Sequence, residues 1–179
     1  MIPVVGLDPS LRATGLALPD GELLTITTPA CKKGCPLDDR IERMRHIVGR
    51  VGVRVKIGCL VVIEGAALHS NNNDSHELAG IWWKLVVRLA EQGNQIAVVG
   101  PGQLKKFATG SGAKDPGKAR MREALRQHAG LDMADHNQVD AFWLRQAGLV
   151  RQGHPDALSL PKTQTAVLDG IAWPEGIGS

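Results

Sequence analysis

The sequence lacks any apolar run approaching the roughly 20 residues that a membrane-spanning helix needs, so no membrane partner is expected. Its N-terminus also lacks a basic region followed by a long apolar one, which leads to the expectation of a soluble, intracellular protein without a secretory leader. Cysteine is scarce and odd in number, three in all, which argues against a disulfide framework and for reduced thiols. Cys31 and Cys35 could form half of a zinc site, but no second ligand pair has matching spacing, and Cys59 sits in a strand-like run. Net charge is only +3, too mild to imply a nucleic-acid partner unless the charge is unevenly placed. No repeat or low-complexity block appears, which excludes solenoids and arrays. What remains is a chain of 179 residues, 43% hydrophobic and 22% charged, of the size and composition of one globular domain with a continuous core, and the strand and helix pattern that follows makes it α/β.

The organising stretch is VVGLDPSLRATGLAL, residues 4–18. It places Asp8 inside a run that reads as a buried strand, where an uncompensated carboxylate is costly. The segment from Pro9 to Gly15 supplies turn chemistry, the apolar run resumes at Leu16, and Pro19-Asp20-Gly21 turns the chain again. Residues 22–28 suit a third strand returning beside the second, so the first 28 residues read as a meander. Residues 37–51 carry Leu37, Ile41, Met44, Ile47, Val48 and Val51 at helical spacing. Residues 57–63 are apolar almost throughout and read as a strand buried on both faces, ending in a second carboxylate, Glu64.

A helix is expected over residues 75–92, with Asp74 or Ser75 as its cap and Glu77 as the partner in a capping box. It is apolar nearly all round and holds Trp82 and Trp83, which points to a second subunit, or the core of the same chain, as its cover. Residues 95–99 then form a parallel strand. Charge collects between Gly102 and His128, where seven basic residues face two acidic ones. Gly110-Ser111-Gly112 precedes a helix start at Asp115 and Pro116, and a glycine-rich loop with lysines at a helix N-terminus suits phosphate contact. Its spacing is not that of a nucleotide-binding P-loop.

A third carboxylate, Asp140, lies in the apolar stripe of a helix that Asp135 caps, with Gln138 as the expected box partner. His136 and Asn137 stand one turn before it, on the same face. Asp8, Glu64 and Asp140 can therefore meet at one edge of a mixed sheet, and their mutual repulsion is relieved by divalent cations. Two such ions activate water and stabilise a leaving oxygen in displacement at phosphorus, and the basic region makes a nucleic-acid backbone the natural substrate. From Arg151 onward the chain reads as an extended tail that packs locally through Trp173.

The strings GLDPSLRATGLA, VVIEGA, GQLKKFATGSG with Lys118 beyond it, and DHNQVDAFWL, in this order over residues 2–150, resemble the RuvC-type Holliday-junction resolvases of the ribonuclease H-like superfamily. The resemblance implies a five-stranded mixed sheet flanked by helices over residues 1–150, with 151–179 outside it. It implies an endonuclease that places paired nicks in four-way DNA with two Mg2+ or Mn2+ ions per site, a homodimer formed through helix 75–92, and a bacterial or phage-infected cytoplasm. Asp8, Glu64 and Asp140 would hold the metals. Lys105 and Lys118 match lysines that contact DNA or stabilise charge at the scissile phosphate, and Lys106, Lys114 and Arg122 extend the basic surface. Where the family carries a fourth ligand, this chain has His136 and Asn137, with His136 the favoured one. Where the family carries an aromatic wedge after the Glu, it has Ala67, Leu68 and His69. The altered fourth ligand leaves open a non-catalytic binder of branched DNA, whereas an actin-like phosphotransferase would need a second copy of the fold.

Overall fold

Alternation of apolar residues in the first strands is answered by a sheet covered on both faces. The computed structural model of the protein describes residues 1–31, 34–66, 74–111 and 117–178. The strands are β1 (Val4–Asp8), β2 (Ala13–Ala17), β3 (Leu23–Thr27), β4 (Leu60–Glu64) and β5 (Gln95–Val99), in the order β3-β2-β1-β4-β5. β1, β2 and β3 form the antiparallel meander, while β1–β4 and β4–β5 are parallel. This is the five-stranded mixed sheet expected.

Because side chains alternate along a strand, the sheet feeds two cores. Val5, Leu7, Val61 and Ile63 point to one face and pack against α1 (Leu37–Arg54) and α2 (Asp74–Glu91) through Ile47, Val51, Ile81, Leu85 and Leu89. Val4, Leu60, Val62, Ala97 and Val99 point to the other. There they meet α3 (Pro101–Thr109), α4 (Gly117–Ala129) and α5 (His136–Gln152). Among the described residues no helix is long and apolar enough to cross a membrane.

The packing of α5 is unusually close. A methyl group on Gly6 would overlap the carbonyl oxygen of Ala141, and one on Gly15 would overlap that of Asn137. Glycine at both positions lets the helix backbone lie directly on β1 and β2.

Several expectations are corrected. The apolar run at residues 57–63 becomes a strand only from Leu60, because Gly58, at φ 79°, turns the chain and leaves Ile57 79% exposed. The side chain of Asp74, one of the two expected caps, lies outside the described residues, and the expected box partner is Glu77. It is buried and accepts from Arg40 and Arg43, pinning α1 to α2. Cys31 and Cys35 are joined as a disulfide, not held as reduced thiols, since the loop between β3 and α1 brings their α-carbons to 5.8 Å; Cys59 is free and buried.

Residues 101–109, for which no element is expected from the sequence, form α3. Gly100 and Pro101 start it, and Leu104, Phe107 and Ala108 fill its inner face. Residues after Gln152 are folded, with α6 (Lys162–Thr165) running into a 3-10 helix (Ala166–Gly170), and Leu168, Ile171 and Ile177 join the core.

Candidate active site

Asp8 closes β1 and Glu64 closes β4. The register pairs Leu7 with Ile63, so the two carboxylates follow as the next neighbours on adjacent parallel strands. By alternation both leave the sheet on the face of Val4 and Val62, which is the face covered by α5. Asp8 is only 7% exposed, and the Asp8 and Glu64 carboxyl groups share a hydrogen bond. Burial pushes the Glu64 carboxyl above the ordinary range, while the bond to Asp8 and the Lys105 ammonium draw it back.

Both strand ends are held from outside the sheet. The corner after Asp8 is built by fully buried Thr14, whose Oγ1 donates to Ser10 O at 2.8 Å and accepts from Ser10 N–H at 3.1 Å. The Thr28 N–H and Oγ1 donate to Arg12 O and Leu11 O, tying the end of β3 to the same corner. Glu64 O accepts from Trp82 Nε1 at 2.8 Å, and Gly65 N–H donates to Val99 O. One tryptophan of the adjacent pair is thus turned inward to the end of β4, and the other, Trp83, is 61% exposed.

Asp135 is the N-cap of α5, as expected, but its partners differ. It accepts from the N–H and Nδ2 of Asn137 at 2.9 Å each, and Oδ2 accepts from Thr25 Oγ1 at 2.5 Å. The carboxylate therefore ties the first turn of α5 to β3, a contact across the whole fold that no local pattern signals. Asp140 stands in the turn between Asn137, which lies on Gly15, and Ala141, which lies on Gly6. Gly15 pairs with Asp8 in the sheet, so Asp140 is carried to the Asp8 end of β1.

The donors that sequence analysis expects to hold metal, Asp8, Glu64, His136, Asn137 and Asp140, are thus drawn to one end of the sheet. They are not closed into a cage. Among the described residues no three His, Cys, Asp or Glu side chains are grouped to hold a metal ion. His136 is exposed at the start of α5, and the Asn137 amide is engaged with Asp135. Asp8 and Glu64 are the pair whose hard oxygen donors suit a divalent cation.

Of the expected basic residues, Lys105 on α3 lies close enough to Glu64 to act on its charge, and Lys106 is exposed. Arg122 is salt-bridged to Asp132 at 2.7 Å, and Arg126 joins the same carboxylate. Lys114, the helix start at Asp115 and Pro116, the side chain of Lys118, and Ala67, Leu68 and His69 lie outside the described residues. Trp82 is expected from the sequence only as part of the apolar surface of helix 75–92; Thr14, Thr25 and Gln103 are supporting residues that sequence reasoning missed. Only the apolar spacing of α3 offered a signal for any of them.

Neither a protein-family model nor a curated protein sequence matches the chain. Its fold is matched among solved structures. A Thermus thermophilus RuvC structure is 22% identical with a TM-score of 0.59, over 89% of this chain and 99% of that one. T. thermophilus RuvC in complex with a Holliday junction substrate is 21% identical with a TM-score of 0.61, over 86% and 97%. With a carboxylate at the end of each of two neighbouring parallel strands and α5 laid on β1, the chain has the ribonuclease H-like fold of RuvC.

Proposed function

We propose that the protein is a divalent-metal-dependent endonuclease that cuts Holliday junctions or other branched DNA. The observation that carries this reading is the buried Asp8 carboxyl paired with the half-buried Glu64 at the end of a sheet whose fold is that of a junction-bound RuvC.

Asp8 and Glu64 would hold Mg2+ or Mn2+, with Asp140 and either His136 or Asn137 of α5 as the further ligands. When bound, the ions activate water and stabilise the leaving oxygen as one P–O bond of the backbone is replaced by another. The chain's own groups do the rest. Thr14 and Trp82 fix the two strand ends, and Lys105 offsets negative charge beside Glu64. Lys106, Lys114, Lys118 and Arg122 offer cations to DNA phosphates. Paired cleavage needs two sites, and the outward side chains of Trp83 and Val87 on α2, 61% and 48% exposed, offer an apolar contact for a homodimer.

A second reading, a branched-DNA binder without nuclease activity, is favoured by one observation: the Asn137 amide is committed to Asp135, one turn before Asp140. A cleavage assay on four-way, three-way and linear DNA with Mg2+ or Mn2+ separates the two. Branched DNA cut by the parent, and a loss of at least about 100-fold in Asp8→Asn and Glu64→Gln, supports the nuclease. Cleavage that is absent in the parent, or that survives both changes, rejects it.

A further inference from the structure

α3 begins two residues after Val99, the residue paired with Glu64 in the sheet, so a rotation of this helix sweeps Lys105 across the carboxylate end. α3 has nine residues, little more than two turns, and a helix that short does not hold its orientation by its own hydrogen bonds. It packs on the core through Leu104, Phe107 and Ala108, and it is also met at both ends by residues beyond Gln152, to which sequence analysis assigned no chemistry.

Both ends of α3 are latched by an amide. At the N-terminal end, Gln103 Oε1 accepts from Gly100 N–H at 2.9 Å while Nε2 donates to Gly170 O at 3.1 Å. At the C-terminal end, Gln164 Nε2 donates to Ala108 O at 2.9 Å. That carbonyl belongs to the last turn, where a helix has no donor of its own. Gln164 is only 4% exposed and packs over Gly110, where a side chain would meet it. Burying an amide is costly unless it is satisfied, so Gln164 is an expensive choice for a mere linker. The latching segment is itself anchored. Leu168, Ile171 and Ile177 are buried in the core that α3 shares with α5, Trp173 Nε1 donates to Leu168 O at 2.8 Å, and Arg151 Nε donates to Ile177 O at 3.3 Å.

We propose that residues 161–178 form a clasp that fixes α3 at both ends, and that Gln164 is a positioning residue that sets Lys105 at the carboxylate end of the site. The clasp stands on the contacts alone; its role in the reaction rests on the nuclease reading above.

The test is a double-mutant cycle on the full chain, with four-way DNA cleavage measured for the parent, Gln164→Met, Lys105→Ala and the double variant. Gln164→Met keeps the length of the side chain and removes the donor. If Gln164 acts through Lys105, Gln164→Met lowers kcat at least fivefold with KM within twofold, and the same change costs less than twofold once Lys105 is alanine. No loss in kcat, or an equal loss in both backgrounds, overturns the positioning role. Gln164→Asn, whose shorter amide no longer reaches Ala108 O, takes the place of Gln164→Met if that variant does not fold.

Hydrogen exchange of the α3 amides gives a readout that needs no activity. Exchange at least fivefold faster in α3, with α2 on the opposite face unchanged, supports the clasp; unchanged exchange in α3 overturns it. A parent that cuts no junction would sink the nuclease reading, and exchange would still decide the clasp.

Discussion

The peptide carbonyl of Asn137 rests against the α-carbon of Gly15, so close that a methyl group there would overlap it. Gly15 faces Asp8 across the β1–β2 pair, so this contact is what carries the first turns of α5, and Asp140 with them, to the end of β1.

Gly15→Ala therefore sets a methyl group against backbone, where no side chain can swing aside. The expected cost is about 3 kcal/mol, the upper end for overpacking, read as a lower urea midpoint with unchanged slope. A variant as stable as the parent would show that α5 does not need to lie on β2.

Thr25→Val tests the cap. The change keeps the shape of the side chain and removes the hydroxyl that donates to Asp135 Oδ2. Hydrogen bonds to charged groups contribute about 1.5–3 kcal/mol, and this one is part-buried, so a loss of about 1.5 kcal/mol is expected from denaturant melts. In the Asp135→Asn background the loss shrinks if the bond is the cause.

Asp132 gives the acid limb of stability a signature. The guanidinium groups of Arg126 and Arg122 hold its carboxyl below the ordinary carboxylate range. A carboxyl lowered in the folded state stabilises fully above the unfolded value of about 3.9, and that stabilisation fades as pH falls through the lower folded value. The difference in urea midpoint between the parent and Asp132→Asn should be constant from pH 7 to about 5 and should vanish in stronger acid. The cluster is exposed, so high salt should also shrink it.

Trp83 addresses assembly. Its side chain is 61% exposed in a single chain, so Trp83→Lys should leave the melting temperature of the fold within a few degrees. If α2 is the contact between copies, sedimentation should show the parent as a dimer and the variant as a monomer. A parent that sediments as a monomer at all concentrations rejects the contact.

Much of this architecture was legible from local pattern. Turn residues after Asp8 and at Pro19–Gly21 marked the meander, although β2 already starts at Ala13 within the stretch read as turn, and two carboxylates inside apolar runs marked Asp8 and Glu64. Asp135 announced the start of α5 because an N-cap is a local device. The misreadings share one cause, which is that partners distant in sequence decide the use of a polar side chain. Glu77 has the spacing of a capping box, yet Arg40 and Arg43 claim it from another helix. Gln138 has the spacing to partner Asp135, yet Thr25 and Asn137 occupy that carboxylate. Cys31 and Cys35 look like isolated thiols until the β3–α1 loop folds them together. The segment after Gln152 looks polar enough to be a tail, and its few apolar residues find a core only once α3 and α5 are in place.

By itself the sequence determined the five strands and the helices α1, α2, α4 and α5, because periodicity and turn residues act over a few positions and need no partner. It also determined that carboxylates stand at strand ends, because a charge inside an apolar run is visible as such. Only the tertiary structure decided which of those carboxylates touch: parallel register sets Asp8 beside Glu64, and backbone contact at Gly6 and Gly15 sets how near α5 brings Asp140. Register and close packing are relations between segments far apart in the chain, and no local pattern contains them.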